Sequence, residues 1–187
     1  MSLLVISTSL KPASRSRVLA LEAHRLASAA GPATLVDLRD LPLPLCDGAT
    51  FGIPAVAALS AAIRSASAVL LAAPVYNYDL SAAAKNLIEH TGKAWEDQVV
   101  GFLVAAGAPR SYMSVQTFAG SLALDFRSLV VPRFVYAVRE DVDATGILSQ
   151  DIAARVDDLV RATRSLALAL GRIPGTAHHR AAGAPTA

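Results

Sequence analysis

Short apolar runs alternate with stretches of helical spacing along most of the chain. Leu3-Leu4-Val5-Ile6 is one such run, after which Leu19, Ala23, Leu26 and Ala30 recur at helical intervals until Gly31-Pro32. Ala33 to Leu38 reads as a second strand, and Leu41 to Gly48 as an extended connection whose prolines keep it out of a central ladder. Pro54 suits the first turn of a helix that turns Val56, Leu59, Ile63 and Ala66 to one side. Ser67 to Ala73 has the length and β-branched content of a strand buried on both faces. That strand is expected to end at Pro74, with a helix opening near Asp79 and carrying Leu80, Ala84, Leu87, Ile88 and Thr91. Val99 to Val104 supplies a fourth strand, Val115, Phe118, Ala119 and Leu122 a helix, and Val130 to Val138 a fifth strand with Pro132 at its start. Ser149 is placed to cap a last helix, faced by Ile152, Val156, Leu159, Val160, Thr163, Ala167 and Leu170 and ended by Gly171. Residues 175–187 show no apolar period and are expected to form a flexible tail after one domain at 1–174.

Strands alternating with helices in this way imply an α/β doubly wound, five-stranded parallel sheet in the order 2-1-3-4-5. Right-handed crossovers then put the loops after strands one, three and four on one edge, where such sheets bind ligands. After strand one, Ser9, Lys11, Ser14, Arg15 and Ser16 crowd a helix start, whose free N–H groups and positive dipole end suit a phosphate. The alternative is that Ser14 is only an N-cap and the other hydroxyls are solvated turn residues. After strand three, Pro74-Val75-Tyr76-Asn77 offers amides, an aromatic ring and a carboxamide to a planar polar ligand, or simply ends the strand. After strand four, the small residues around Gly107 let backbone approach a flat ligand, and glycine admits positive φ.

Composition narrows the choice. The 187 residues suit one domain, and the hydrophobic content of 53% owes much to alanine in helical patterns. No apolar run nears the roughly 18 residues that span a bilayer. The N-terminus lacks a basic region before its first strand, so neither a membrane anchor nor a signal peptide is expected, and a cytoplasmic protein follows. A net charge of +2, from 17 basic and 15 acidic residues dispersed along the chain, leaves no nucleic-acid footprint. The lone Cys46 precludes an internal disulfide and reads as a small buried hydrophobe, and the four histidines have no metal-ligand spacing. No G-x-G-x-x-G follows strand one and no G-x-x-x-x-G-K-[ST] occurs, which disfavours a dinucleotide-binding dehydrogenase and a P-loop nucleotidase.

Ser9-Leu10-Lys11-Pro12-Ala13-Ser14-Arg15-Ser16 is similar to the Ser-x-Arg-x-x-Ser phosphate loop of the NADPH-dependent FMN reductase family of flavodoxin-like proteins. Pro74-Val75-Tyr76-Asn77, Lys85-Asn86 and the Gly107 turn extend the resemblance, which runs to about Leu170. It implies a flavodoxin-like fold, FMN as cofactor, NADPH or NADH as co-substrate, a small-molecule electron acceptor and assembly as a homodimer or homotetramer. It further implies that Ser9, Lys11, Ser14, Arg15 and Ser16 hold the FMN phosphate. Pro74, Val75, Tyr76 and Asn77 would run beside the ribityl chain and isoalloxazine, and Gly107 would approach the ring. Hydride would pass from NAD(P)H to FMN N5 and on to a flavin, quinone, azo or similar acceptor, with no catalytic side chain required. The chain departs from the family pattern with Ser7-Thr8 where glycine is usual, Lys11 where arginine is commoner, and Gly107-Ala108 where Gly-Gly is frequent. Two other readings stand beside the enzyme: a non-enzymatic flavodoxin-type electron carrier, against which the net positive charge argues, and a flavin- or anion-binding module.

Overall fold

The computed structural model describes residues 1–41, 43–48 and 52–171. The expected tail at 175–187 lies outside them, as do Pro42, Pro174 and residues 49–51. Three central strands, β1 (Leu3–Ser7), β3 (Ala68–Tyr76) and β5 (Val99–Ala105), lie parallel, with β2 (Ala33–Asp37) outside β1. Their order is β2-β1-β3-β5, the expected order for the first four parallel strands.

Side chains alternate along each strand, and the alternation builds two cores. Leu4, Ile6, Val69, Leu71 and Ala73 meet α2 (Pro54–Ser65), α3 (Ala82–Thr91) and α4 (Gln116–Phe126) through Leu59, Ile63, Leu87, Phe118 and Leu122. Leu3, Val5, Leu70 and Ala72 meet α1 (Arg15–Ala29) and α5 (Gln150–Ala169) through Leu19, Ala23, Val156, Leu159 and Val160. Each fully buried Leu, Ile, Val or Phe contributes roughly 1.5–3 kcal/mol, so both helix layers are held by burial more than by helix propensity. Gly101 permits the close seat of α5: a Cβ there would lie 2.8 Å from Leu70 Cδ2 and 3.0 Å from Thr163 Oγ1. No helix of the described residues is long and apolar enough to cross a membrane.

Two elements differ from the periodicity. The strand expected to stop at Pro74 runs on to Tyr76, with Pro74 still in register with Ala105. Pro74 lacks a donor, but its carbonyl accepts from Ser81 N at 3.0 Å, so its place in the sheet is satisfied. The chain then reverses at Asn77 and Tyr78, both at positive φ (51° and 64°), and Asp79–Leu80 returns antiparallel as β4. Two consecutive left-handed residues are the signature of a type I′ hairpin, whose twist matches the flanking strands. The helix therefore opens at Ala82, capped by Ser81, and not at Asp79. The fifth strand is also divided. Leu129–Val130 (β6) and Val135–Ala137 (β7) both pair with β5, separated by Pro132 and by Arg133 at φ 61°. Pro132 thus sits in the break, where a missing donor and a left-handed residue interrupt the ladder.

Candidate functional site

The loop between β1 and α1 is anchored from below. Thr8 directs both its N–H and its Oγ1 onto the Ala72 carbonyl of β3, at 2.9 and 3.0 Å. Ser9 is buried and its Oγ accepts from Lys11 N at 3.3 Å. Ser14 caps α1, its Oγ accepting from Arg17 N at 3.3 Å while lying 3.0 Å from the Oγ of buried Ser16. Arg15 is half-buried, and its Nη1 is buried without a hydrogen-bond partner among the described residues. No acidic residue stands in the first turn of α1. The helix dipole and a guanidinium nitrogen unpartnered among the described residues therefore suit an anion, with no acidic residue in the first turn of the helix to neutralise them.

The loops after β1, β3 and β5 meet as the topology predicts. Ser9, Lys11, Ser14, Arg15 and Ser16 line one side of a cleft of about 90 Å³, and Pro74, Val75, Tyr76 and Gly107 line the rest with Ala13, Ala105 and Ala106. Asn77 is not among the lining residues, since it forms the first turn position of the hairpin. The strand extension explains this, because it carries Asn77 past the end of β3 into the hairpin turn.

Gly107 does not need the conformational freedom expected of it. Its φ is not in the positive region, and a Cβ built on it would meet nothing within 4 Å. What the residue supplies is open space. Ala108 is extended (φ −157°, ψ 164°), a conformation that any residue adopts, so alanine in place of a second glycine brings no backbone strain.

Two residues beside the cleft had no clear sequence signal. Asp37, at the end of β2, accepts from Arg17 Nε and Arg39 Nη2 at 2.7 and 2.8 Å, and its side chain is only 6% exposed. Arg39 Nη1 also donates to Pro12 O at 3.3 Å, tying the serine-rich loop to β2. Burial works to raise the Asp37 carboxyl, but the hydrogen bonds from Arg39 and Arg17 outweigh it and hold the group below the usual carboxylate range. A depressed folded value makes the stabilisation complete above the ordinary aspartate value, about 3.9, and lost as pH falls through the lower folded one. Asp37→Asn is expected to cost about 1–2 kcal/mol at neutral pH, the upper range being discounted because both arginines are partly exposed. Thermal melts of the two proteins should converge as pH falls through the depressed folded value of the Asp37 carboxyl, and a gap that does not narrow on acidification would place the cost elsewhere.

On the other face of the same loop, Leu10 and Pro12 border an apolar cavity of about 570 Å³ walled by Leu38, Leu41, Leu43 and Ala83. Asn86 of α3 secures its rim, accepting from Cys46 N and donating to Pro44 O, both at 2.9 Å, and His90 Nε2 lies 2.8 Å from the same carbonyl. Cys46 is accordingly half-exposed on this connection and not a buried core residue. Lys85 pairs with Glu89 at 2.6 Å on the exposed side of the helix.

A family model for NADPH-dependent FMN reductases matches residues 1–143. The chain belongs to the NADPH-dependent FMN reductase family. It is 27% identical to a probable NADPH:quinone oxidoreductase 2 of Oryza sativa subsp. japonica, over 94% of this chain and 93% of the relative. Among solved structures, an oxidoreductase from Corynebacterium diphtheriae superposes with a TM-score of 0.74 at 20% identity, covering 90% of this chain and 97% of that one. The apo form of an NADH:FMN oxidoreductase gives 0.73 at 17% identity over 96% of both chains. The flavoenzyme NAD(P)H:(acceptor) oxidoreductase FerB of Paracoccus denitrificans gives 0.69 at 19%, covering 88% and 97%. At such identities these structures share the flavodoxin-like fold.

As an FMN reductase the chain is an NAD(P)H-dependent flavin oxidoreductase, with FMN as cofactor and NADPH or NADH as co-substrate. The residues present fit that cofactor. Arg15 Nη1, buried and without a partner among the described residues, and the start of α1 suit a phosphate, and the small residues Ala105, Ala106 and Gly107 line the same cleft. The departures from the FMN reductase pattern have local explanations. Thr8 replaces glycine by bonding its hydroxyl to β3, and Lys11 is exposed, a charge without the bidentate fork of arginine.

Proposed function

We propose that the cleft holds FMN with its phosphate on Ser9, Lys11, Ser14, Arg15 and Ser16, its ring end lying toward Pro74, Val75, Tyr76 and Gly107. The observation that carries this reading is the buried Arg15 Nη1, which has no described partner and sits at the N-terminus of α1. When bound, FMN supplies the chemistry no side chain here can, accepting hydride at N5 from NAD(P)H and releasing the electrons to a second acceptor. The protein's part is binding and access. Arg15 and Lys11 neutralise the phosphate, Ser14 and Ser16 orient it, and the small residues at 105–107 leave one side of the cleft open to a second flat molecule.

A quinone is the proposed acceptor, supported by the name of the rice relative and by the half-exposed Tyr76 at the cleft, a flat face on which a small aromatic can stack. Self-association as a homodimer or homotetramer belongs to the same reading, supported by exposed Leu10 and Leu45 around the apolar cavity. The electron-carrier alternative loses ground to an enzyme family and a net charge of +2.

The test is NADPH and NADH oxidation with FMN present and a benzoquinone, an azo dye or no acceptor added. Turnover with the quinone at least tenfold above that of protein-free FMN is expected. A rate no faster than free FMN with every acceptor would remove the reductase reading, and an azo dye outpacing the quinone would replace the acceptor.

A further inference from the structure

The turn after β5 is braced by a residue from a different strand. Tyr136 lies on β7 in register with Val104, and only 7% of it is exposed. Its hydroxyl nonetheless reaches past the end of the sheet, donating to Ala108 O at 2.6 Å and accepting from Ser111 N at 3.2 Å. A phenol has one hydrogen to give, and here both its donor and an acceptor position go to one short turn. The ring is itself held. Tyr112 packs against it at 5.4 Å between centroids and against Phe134 at 4.8 Å.

The turn entering this brace is anchored once more, by Ala106 N donating to Ala137 O at 2.8 Å. Between these anchors lies Gly107, exposed, lining the cleft, and with no hydrogen-bond acceptor for its N–H among the described residues. Nothing described holds Gly107 in place except its neighbours on either side. Ala108 is exposed and Ser111 half-exposed, so the phenol's two bonds do not serve to bury the groups they satisfy. A buried side chain that commits both its bonds to an exposed turn is fixing the position of that turn.

We propose that Tyr136 is a positioning residue for FMN: it does not line the cleft, but it holds the Gly107 turn as a preformed wall for the ring end of the cofactor. The proposal rests on the reading that this cleft is the FMN site. A preformed wall binds more tightly than a mobile one because less conformational freedom is lost on binding. Removing the hydroxyl alone, with the ring and its contacts kept, should therefore loosen the turn and weaken the flavin without unfolding the sheet.

Tyr136→Phe is the variant, with Arg15→Ala measured beside it. Loss of two hydrogen bonds to the turn is expected to raise the Kd for FMN about tenfold by fluorescence titration. Amide hydrogen exchange in the FMN-free variant should accelerate at residues 107–111 and not in β1 or β3, and the visible band of bound FMN at saturation should shift. An FMN Kd within twofold of wild type overturns the proposal, as does accelerated exchange spread over the whole sheet, which would mark a merely structural brace. If Arg15→Ala weakens FMN and Tyr136→Phe does not, the positioning role alone fails. If neither variant changes FMN affinity, the cleft is not the site and the underlying reading fails with it.

Discussion

Replacing Arg15 with alanine should weaken FMN by between ten- and a hundredfold while leaving the FMN-free protein as stable as before. Arg15 is the first residue of α1, and its Nη1 is buried with no partner among the described residues. A hydrogen bond to a charged group contributes roughly 1.5–3 kcal/mol, which sets the expected loss. Lys11 cannot substitute, because it is exposed and presents a hydrated point charge in place of a planar fork. The stability arm points the other way. Arg15 is half-buried, and holding its Nη1 away from water with no partner among the described residues is unfavourable in the free protein, so its removal should leave the melting temperature unchanged or slightly raised. A fluorescence titration and a thermal melt decide the matter together. Unchanged FMN affinity would move the phosphate elsewhere, and a large fall in melting temperature would make Arg15 a structural residue.

The second large effect concerns turnover. Gly107→Val should fold normally, since its φ is not in the positive region and the added Cβ meets nothing within 4 Å. That space belongs to a cleft of only about 90 Å³. Hydride transfer needs its reacting atoms within about 3–3.5 Å, so an isopropyl group on this wall should displace one partner and slow NAD(P)H oxidation more than tenfold. FMN affinity should fall less, because the phosphate contacts lie across the cleft on α1 and its preceding loop. Steady-state rates at saturating FMN, read against FMN titrations of the same variant, separate the two effects. Turnover within twofold of wild type would show that Gly107 does not border the path of the second substrate.

The serine-rich loop and the cleft were legible in advance because their signals are local. Ser9 and Ser14 lie between a buried strand and a helix, and Arg15 and Ser16 in that helix's first turn, where any α/β sheet gathers unpaired N–H groups. The hairpin at Asn77 and Tyr78 was not legible in this way. Leu80 fits the helical spacing of Ala84 and Leu87, and only its pairing with Val75 in the sheet assigns it to β4. Period alone cannot arbitrate when one apolar residue serves either element.

The chain by itself determined the alternation of strands and helices, the burial of β1, β3 and β5 on both faces, and the edge on which the loops converge. Each of these follows from short-range spacing and from the handedness of crossovers. Tertiary structure decided the rest. Asp37 reaches Arg17 across 20 residues, Asn86 reaches Cys46 across 40, and Tyr136 reaches Ala108 across 28. Each of these side chains occurs in a segment whose pattern shows only strand or helix, and its partner is set by how the layers pack. A periodic pattern states which face of an element is buried, whereas a hydrogen bond between distant elements depends on distances that arise only when those faces meet.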